Sequence, residues 1–112
     1  MMTTGERIMT RIAFTMQLLP GFEDEYKRRH DEIWPELAAL LREAGISNYS
    51  IFLDDATMRL FACMDVSGNY DPQWLPRQPI MRKWWDMMGD IMDTNADHSP
   101  VTIPLREVFY LD

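Results

Sequence analysis

The 112-residue chain holds one cysteine, two histidines and no excess of basic charge, and each shortage closes off a class of function. Cys63 has no partner for a disulfide, and its neighbours Ala62 and Met64 make it read as a small buried hydrophobe in a cytoplasmic protein. Eleven Lys and Arg against eighteen Asp and Glu give a formal net charge of −7, a surface that repels phosphate backbones and anionic lipid. Neither nucleic acid nor a membrane is therefore expected as a partner. No apolar run reaches the roughly 18 residues of a spanning helix. The opening residues carry Thr3, Thr4, Gly5 and Glu6 where a signal peptide would be hydrophobic. The sequence also lacks a His-x-x-x-His pair, paired cysteines and an acidic loop with calcium spacing, so no metal is expected. Its five glycines are scattered and form no phosphate-binding loop, so no nucleotide cofactor is expected either.

What is present suffices for one hydrophobic core. Apolar residues make up 46% of a chain too short for two domains. Met9 could itself have been a start, so residues 1–8 are expected to be an N-terminal extension outside the fold, disordered or foreign to it, with a single domain over residues 9–112. Ile12, Phe14, Met16 and Leu18 alternate with Arg11, Ala13, Thr15 and Gln17, the period of a strand. Phe22, Tyr26, Ile33, Leu37, Leu40, Leu41 and Ala44 then share one helical face, which Gly45 ends. Pro35 lies inside that span and must kink the helix or restart it. Asn48–Leu53 and Arg59–Val66 read as a hairpin turned at Asp54–Thr57. Beyond Pro72, Pro76 and Pro79, an amphipathic helix runs from Ile80 through Met92 to end near Asp93, and a last strand is expected over roughly Arg106–Leu111.

The order strand, helix, strand, strand, helix, strand predicts an α+β fold, a ferredoxin-like split βαβ sandwich (βαββαβ) with both helices on one face. Both alternating residue sets are apolar in three of the four strands, and two helices cover only one face. The other face would expose an apolar patch larger than monomers tolerate, which predicts a C₂ homodimer by sheet-to-sheet packing, a dimeric α/β barrel.

His30 is the candidate for chemistry. It lies four residues after Tyr26 and within the apolar stripe of the first helix, so an imidazole faces inward among Tyr26, Trp34, Tyr49, Trp84 and Trp85. Such a histidine is often a core residue satisfied by a carbonyl, and a Trp pair at helical spacing is often plain core. The same set could equally line a sugar pocket: aromatic faces accept the C–H side of the ring, phenol and indole groups give directed hydrogen bonds, and an imidazole passes protons near neutrality. His98 sits in a polar loop and is assigned no role, and Lys27, Arg28 and Arg29 read as a solvated basic edge.

Four segments go further. Glu25-Tyr26-Lys27-Arg28-Arg29-His30 running on to Ile33-Trp34-Pro35-Glu36-Leu37, Asn48-Tyr49-Ser50-Ile51, Trp84-Trp85 followed by Met88, and Glu107-Val108-Phe109-Tyr110-Leu111 are together similar to the L-rhamnose mutarotase family, from about Met9 to the end. That resemblance implies a cofactor-free cytoplasmic isomerase of rhamnose metabolism that interconverts the anomers of a deoxy sugar. It makes His30 the proton donor to the ring oxygen and gives Tyr26, Tyr49, Trp84 and Trp85 contacts to the sugar. Tyr26, Tyr49 or an ordered water stand as candidates for the base. Two departures from the family pattern are Pro76 and Pro79, in a stretch usually compatible with helix, and His98, where asparagine is more frequent. The same dimeric α+β fold also hosts cofactor-free monooxygenases, and a non-catalytic small-molecule binding module is the third reading.

Overall fold

The structure, a computed structural model, describes residues 9–112, so the expected extension over residues 1–8 lies outside it. The elements run β1 (Thr10–Gln17), α1 (Glu23–Asp31), α2 (Pro35–Glu43), β2 (Ile46–Asp54), β3 (Arg59–Val66), α3 (Pro79–Met88) and β4 (Ile103–Leu105), with a 3₁₀ turn at Leu75–Arg77. The four strands form one antiparallel sheet in the order β2-β3-β1-β4. No helix among the described residues is long and apolar enough to cross a membrane.

Proline divides the first helical stretch as its chemistry requires. Trp34 is held extended at φ −60° and ψ 131°, the conformation favoured before a proline, and Pro35 opens α2 where its missing N–H costs nothing. The backbone N–H groups of Leu37 and Ala38 both donate to the Trp34 carbonyl at 3.0 Å, starting the new helix. Gly45, at φ +94°, ends it; a β-carbon there would collide with the side chain of Ser67. The core lies between the helices and one sheet face, and Leu18, Leu37, Leu60 and Ile91 are its most deeply buried large side chains. Met16, Tyr26, Ala62, Trp84 and Met88 pack into the same cluster.

β2 carries an irregularity that positions the candidate site residue Tyr49. Ser47 pairs with Asp65 and Ser50 with Cys63, so Asn48 and Tyr49 together oppose Met64, a bulge made possible by Asn48 at φ +49°. Past the bulge the pleat sends Tyr49, Ile51 and Leu53 toward the helices and Ser50 and Phe52 toward the other face.

Three expectations are corrected. The last strand does not span Arg106–Leu111: β4 is Ile103–Leu105, paired with Ala13–Thr15, and residues 106–112 have no regular structure. Continuing that register leaves β1 only Thr10, Arg11 and Ile12, too few partners for a six-residue strand. The aromatic and β-branched pattern reports a preference for a sheet surface, while forming a strand requires a neighbouring backbone. α3 ends at Met88 rather than near Asp93. Ile91 and Met92 are buried not as helix but as a segment folded back on β1, where Met92 bridges Leu18 and the Asp93 N–H donates to the Gln17 carbonyl at 3.0 Å. Cys63 is only half-buried, because its register opposite Ala13 and Ser50 puts it on the face without helices.

That face is lined by Phe52, Phe61, Ile103 and Leu105, all exposed, and continues into a tail whose Val108, Phe109 and Leu111 are also exposed.

Candidate active site

α1 places Tyr26 and His30 one turn apart, so their rings meet. They stack with centroids 4.2 Å apart and planes 26° from parallel. The His30 ring is fixed by its own helix: Nδ1 lies 3.0 Å from the Tyr26 carbonyl. A carbonyl can only accept, so Nδ1 carries the proton and a neutral imidazole keeps its lone pair on Nε2. α3 supplies the third ring. Trp84 meets His30 edge to face at 5.3 Å, and Trp34, at the junction of α1 and α2, meets Trp84 edge to face at 5.1 Å.

Burial sets the electrostatics. It lowers the His30 pKa, opposed by the hydrogen bond to the Tyr26 carbonyl and by the charge of Asp31. The buried Tyr26 hydroxyl is pushed far above the usual phenol range, and the Tyr49 hydroxyl up to about 12. Tyr49 nonetheless leaves 38% of its surface open. Repulsion from an ionised Tyr49 adds to the rise at Tyr26, and repulsion from an ionised Tyr70 to the rise at Tyr49. The cluster can hold a polar ring against aromatic faces, offer it phenol hydroxyls that remain protonated at neutral pH, and present one imidazole nitrogen able to take or give a proton.

Of the residues singled out in the sequence, Tyr26, His30 and Trp84 come together directly and Tyr49 joins them through Tyr26. Trp85, one position on and about 100° round the helix from Trp84, is half-buried against the core. His98 is exposed, with Nδ1 2.8 Å from Asp86 Oδ1. No group of three or more His, Cys, Asp or Glu able to hold a metal occurs among the described residues.

The basic edge requires a correction. Lys27 and Arg28 do pair with carboxylates at the surface, but the Arg29 side chain is only 14% exposed and reaches α3. Its Nε donates to Glu25 Oε2 at 2.7 Å, Nη1 to Asp90 Oδ1 at 2.9 Å and to the Met87 carbonyl at 3.0 Å, and Nη2 to Asp90 Oδ2 at 3.2 Å. The Glu25–Arg29 spacing of four residues was the visible signal; Asp90, 61 residues further along, left none. Tyr70 was likewise missed, since it stands in an irregular stretch with no periodicity to assign it a face.

The chain is similar to known proteins over nearly its whole length. A family model described as L-rhamnose mutarotase matches residues 11–111. An L-rhamnose mutarotase of Flavobacterium johnsoniae is 58% identical over 102 residues, which cover 91% of this chain and 95% of that protein. Another, of Brucella anthropi, is 53% identical over 108 residues, covering 96% of this chain and 98% of the relative. The crystal structure of an L-rhamnose mutarotase from Formosa agariphila superimposes with a TM-score of 0.87 at 51% identity, over 92% of this chain and 99% of that one.

Proposed function

The chain belongs to the L-rhamnose mutarotase family, and on that premise we propose how its residues interconvert the α and β anomers of L-rhamnose. The protein is an isomerase of rhamnose metabolism, and the match favours neither a monooxygenase nor a passive binding module. His30 is the residue that moves protons. The bond from Nδ1 to the Tyr26 carbonyl carries this reading, because it leaves Nε2 as the one ring atom free to exchange.

In the resting neutral form, Nε2 takes the proton of the anomeric hydroxyl. The C1–O1 bond gains double-bond character as the C1–O5 bond breaks, and the imidazolium returns its proton to the ring oxygen, giving the open aldehyde. Rotation about C1–C2 and the reverse steps close the other anomer, with no net change in atoms or protons. This ordering keeps His30 as donor to the ring oxygen and also fills the role of base. Tyr26 and Tyr49 are poorly suited to that role, since burial keeps both phenols protonated; they serve instead as hydrogen-bond partners of the sugar, beside the apolar walls of Trp84 and Trp85. No cofactor takes part in these steps.

The exposed apolar sheet face and tail support a homodimer, a dimeric α/β barrel of ferredoxin-like split βαβ units packed sheet to sheet; the single cysteine fits a cytoplasmic setting. The test of function is anomer exchange of L-rhamnose by saturation-transfer NMR with the protein, with His30→Ala and with buffer alone. Acceleration by the unmodified protein, lost by about 10²- to 10⁴-fold in the variant, is the expected result. No acceleration of L-rhamnose, L-fucose or galactose would refute the reading.

A further inference from the structure

His30 lies near the end of a helix of nine residues, a length that is barely stable alone, and the chain leaves that helix for an extended link into Pro35. The ring is fixed within α1, so what sets its approach to Trp84 is whatever holds α1 against α3. Most ion pairs of α1 cannot do this: Lys27–Asp31 and Arg28–Glu32 lie in solvent along the helix itself, where such pairs contribute little. Arg29 is built differently. Its guanidinium grips Asp90 with two parallel bonds, caps the Met87 carbonyl in the last turn of α3, and is braced from its own helix by Glu25. A planar cation at the negative end of α3 also complements that helix's dipole. The helix so held is the one that bears Trp84.

We infer that Arg29 is a positioning residue for the reaction: by clasping the C-terminal end of α3 to α1 it sets the approach of Trp84 to His30, and so the direction in which Nε2 faces the sugar. Glu25 is the brace and Asp90 the catch. The inference rests on the reading of His30 as the proton-transfer residue, and adds that its aim is maintained from the adjacent position through a second helix. The guanidinium itself touches no reacting atom.

The experiment compares Arg29→Met, Arg29→Lys, Asp90→Asn and His30→Ala, with Lys27→Met as a control that removes an exposed pair on α1. L-rhamnose exchange and the ring-proton resonances of His30 are read by NMR. The expected result for Arg29→Met is a maximal rate lower by about ten- to a hundredfold, the scale on which a small misplacement acts, with less than about a threefold change in KM. Its His30 ring-proton resonances should shift, because the ring current of Trp84, edge to face with His30, then acts from a different distance and angle. Asp90→Asn should shift both readouts in the same direction, Arg29→Lys should recover part of the rate because a point charge replaces a fork, and Lys27→Met should match the unmodified protein. If Arg29→Met does not fold, Asp90→Asn decides, its carboxylate being largely exposed. A folded variant without the clasp that keeps both the rate and the His30 resonances overturns the inference. Full activity in His30→Ala overturns the acid–base reading instead, so the two failures are told apart.

Discussion

If neutral Nε2 of His30 receives the anomeric proton, the pH dependence of exchange has a defined shape, and two substitutions should move it in opposite directions. Burial holds the His30 pKa below its ordinary 6.5, so the neutral form dominates at pH 7 and the enzymatic rate should be nearly flat from there upward. Below the His30 pKa the reactive form is lost in proportion to proton concentration, about tenfold per pH unit. Trp84→Phe keeps an aromatic edge against His30 but admits more water; easing the desolvation raises the pKa, and the acidic limb moves to higher pH. Asp31→Asn removes a charge that favours the imidazolium, so the limb moves to lower pH, by a smaller amount because Lys27 lies 2.9 Å from that carboxylate and the pair is exposed. The assay is saturation-transfer NMR of L-rhamnose from pH 5 to 8, with buffer-catalysed exchange subtracted. Stability gives an independent check of sign. A histidine with a depressed folded pKa binds fewer protons folded than unfolded, so its effect on stability is nil well above pH 6.5. The protein loses stability as pH falls from about 6.5 through the folded pKa, and the loss then levels off. A rate that rises on acidification below pH 6.5, or limbs that move together in the two variants, would refute the assignment of the neutral imidazole as the reactive form.

Three further outcomes are expected. Tyr49→Phe removes one hydroxyl from the candidate site and leaves the bulged strand intact, so L-rhamnose KM should rise by about two- to tenfold, the worth of one hydrogen bond, while a Tyr49 variant of unchanged KM would remove it from the proposed sugar contacts. Gly45→Ala forces a β-carbon into a left-handed position and against Ser67; a loss of about 1–3 kcal/mol in urea unfolding is expected, and an unchanged midpoint would contradict the stated strain. Phe52→Glu puts a charge on the exposed sheet face, on the edge strand β2, and sedimentation should change from dimer to monomer at micromolar concentration; a dimer that persists would place the interface elsewhere.

Much of the molecule was legible because its signals are local. The alternation of β1, the hairpin of β2 and β3, and the restart of helix at Pro35 follow from side-chain period and from the proline ring, which act within a few residues. The pairing of Tyr26 with His30 is likewise set by one helical turn. Tertiary structure decided what those periods leave open. The bulge at Asn48 turned Tyr49 toward the helices. The fold-back of Ile91 and Met92 onto β1 cut α3 short although the helical stripe continues through both. The C-terminal pattern fits a strand, but β1 ends before it can pair those residues. Arg29 looked like its solvated neighbours until α3 brought Asp90 and the Met87 carbonyl to it. Sequence fixes which faces each segment offers, since that depends on bonds a few residues long; which face meets which depends on how the segments pack, and there His30 met Trp84 and Arg29 met Asp90.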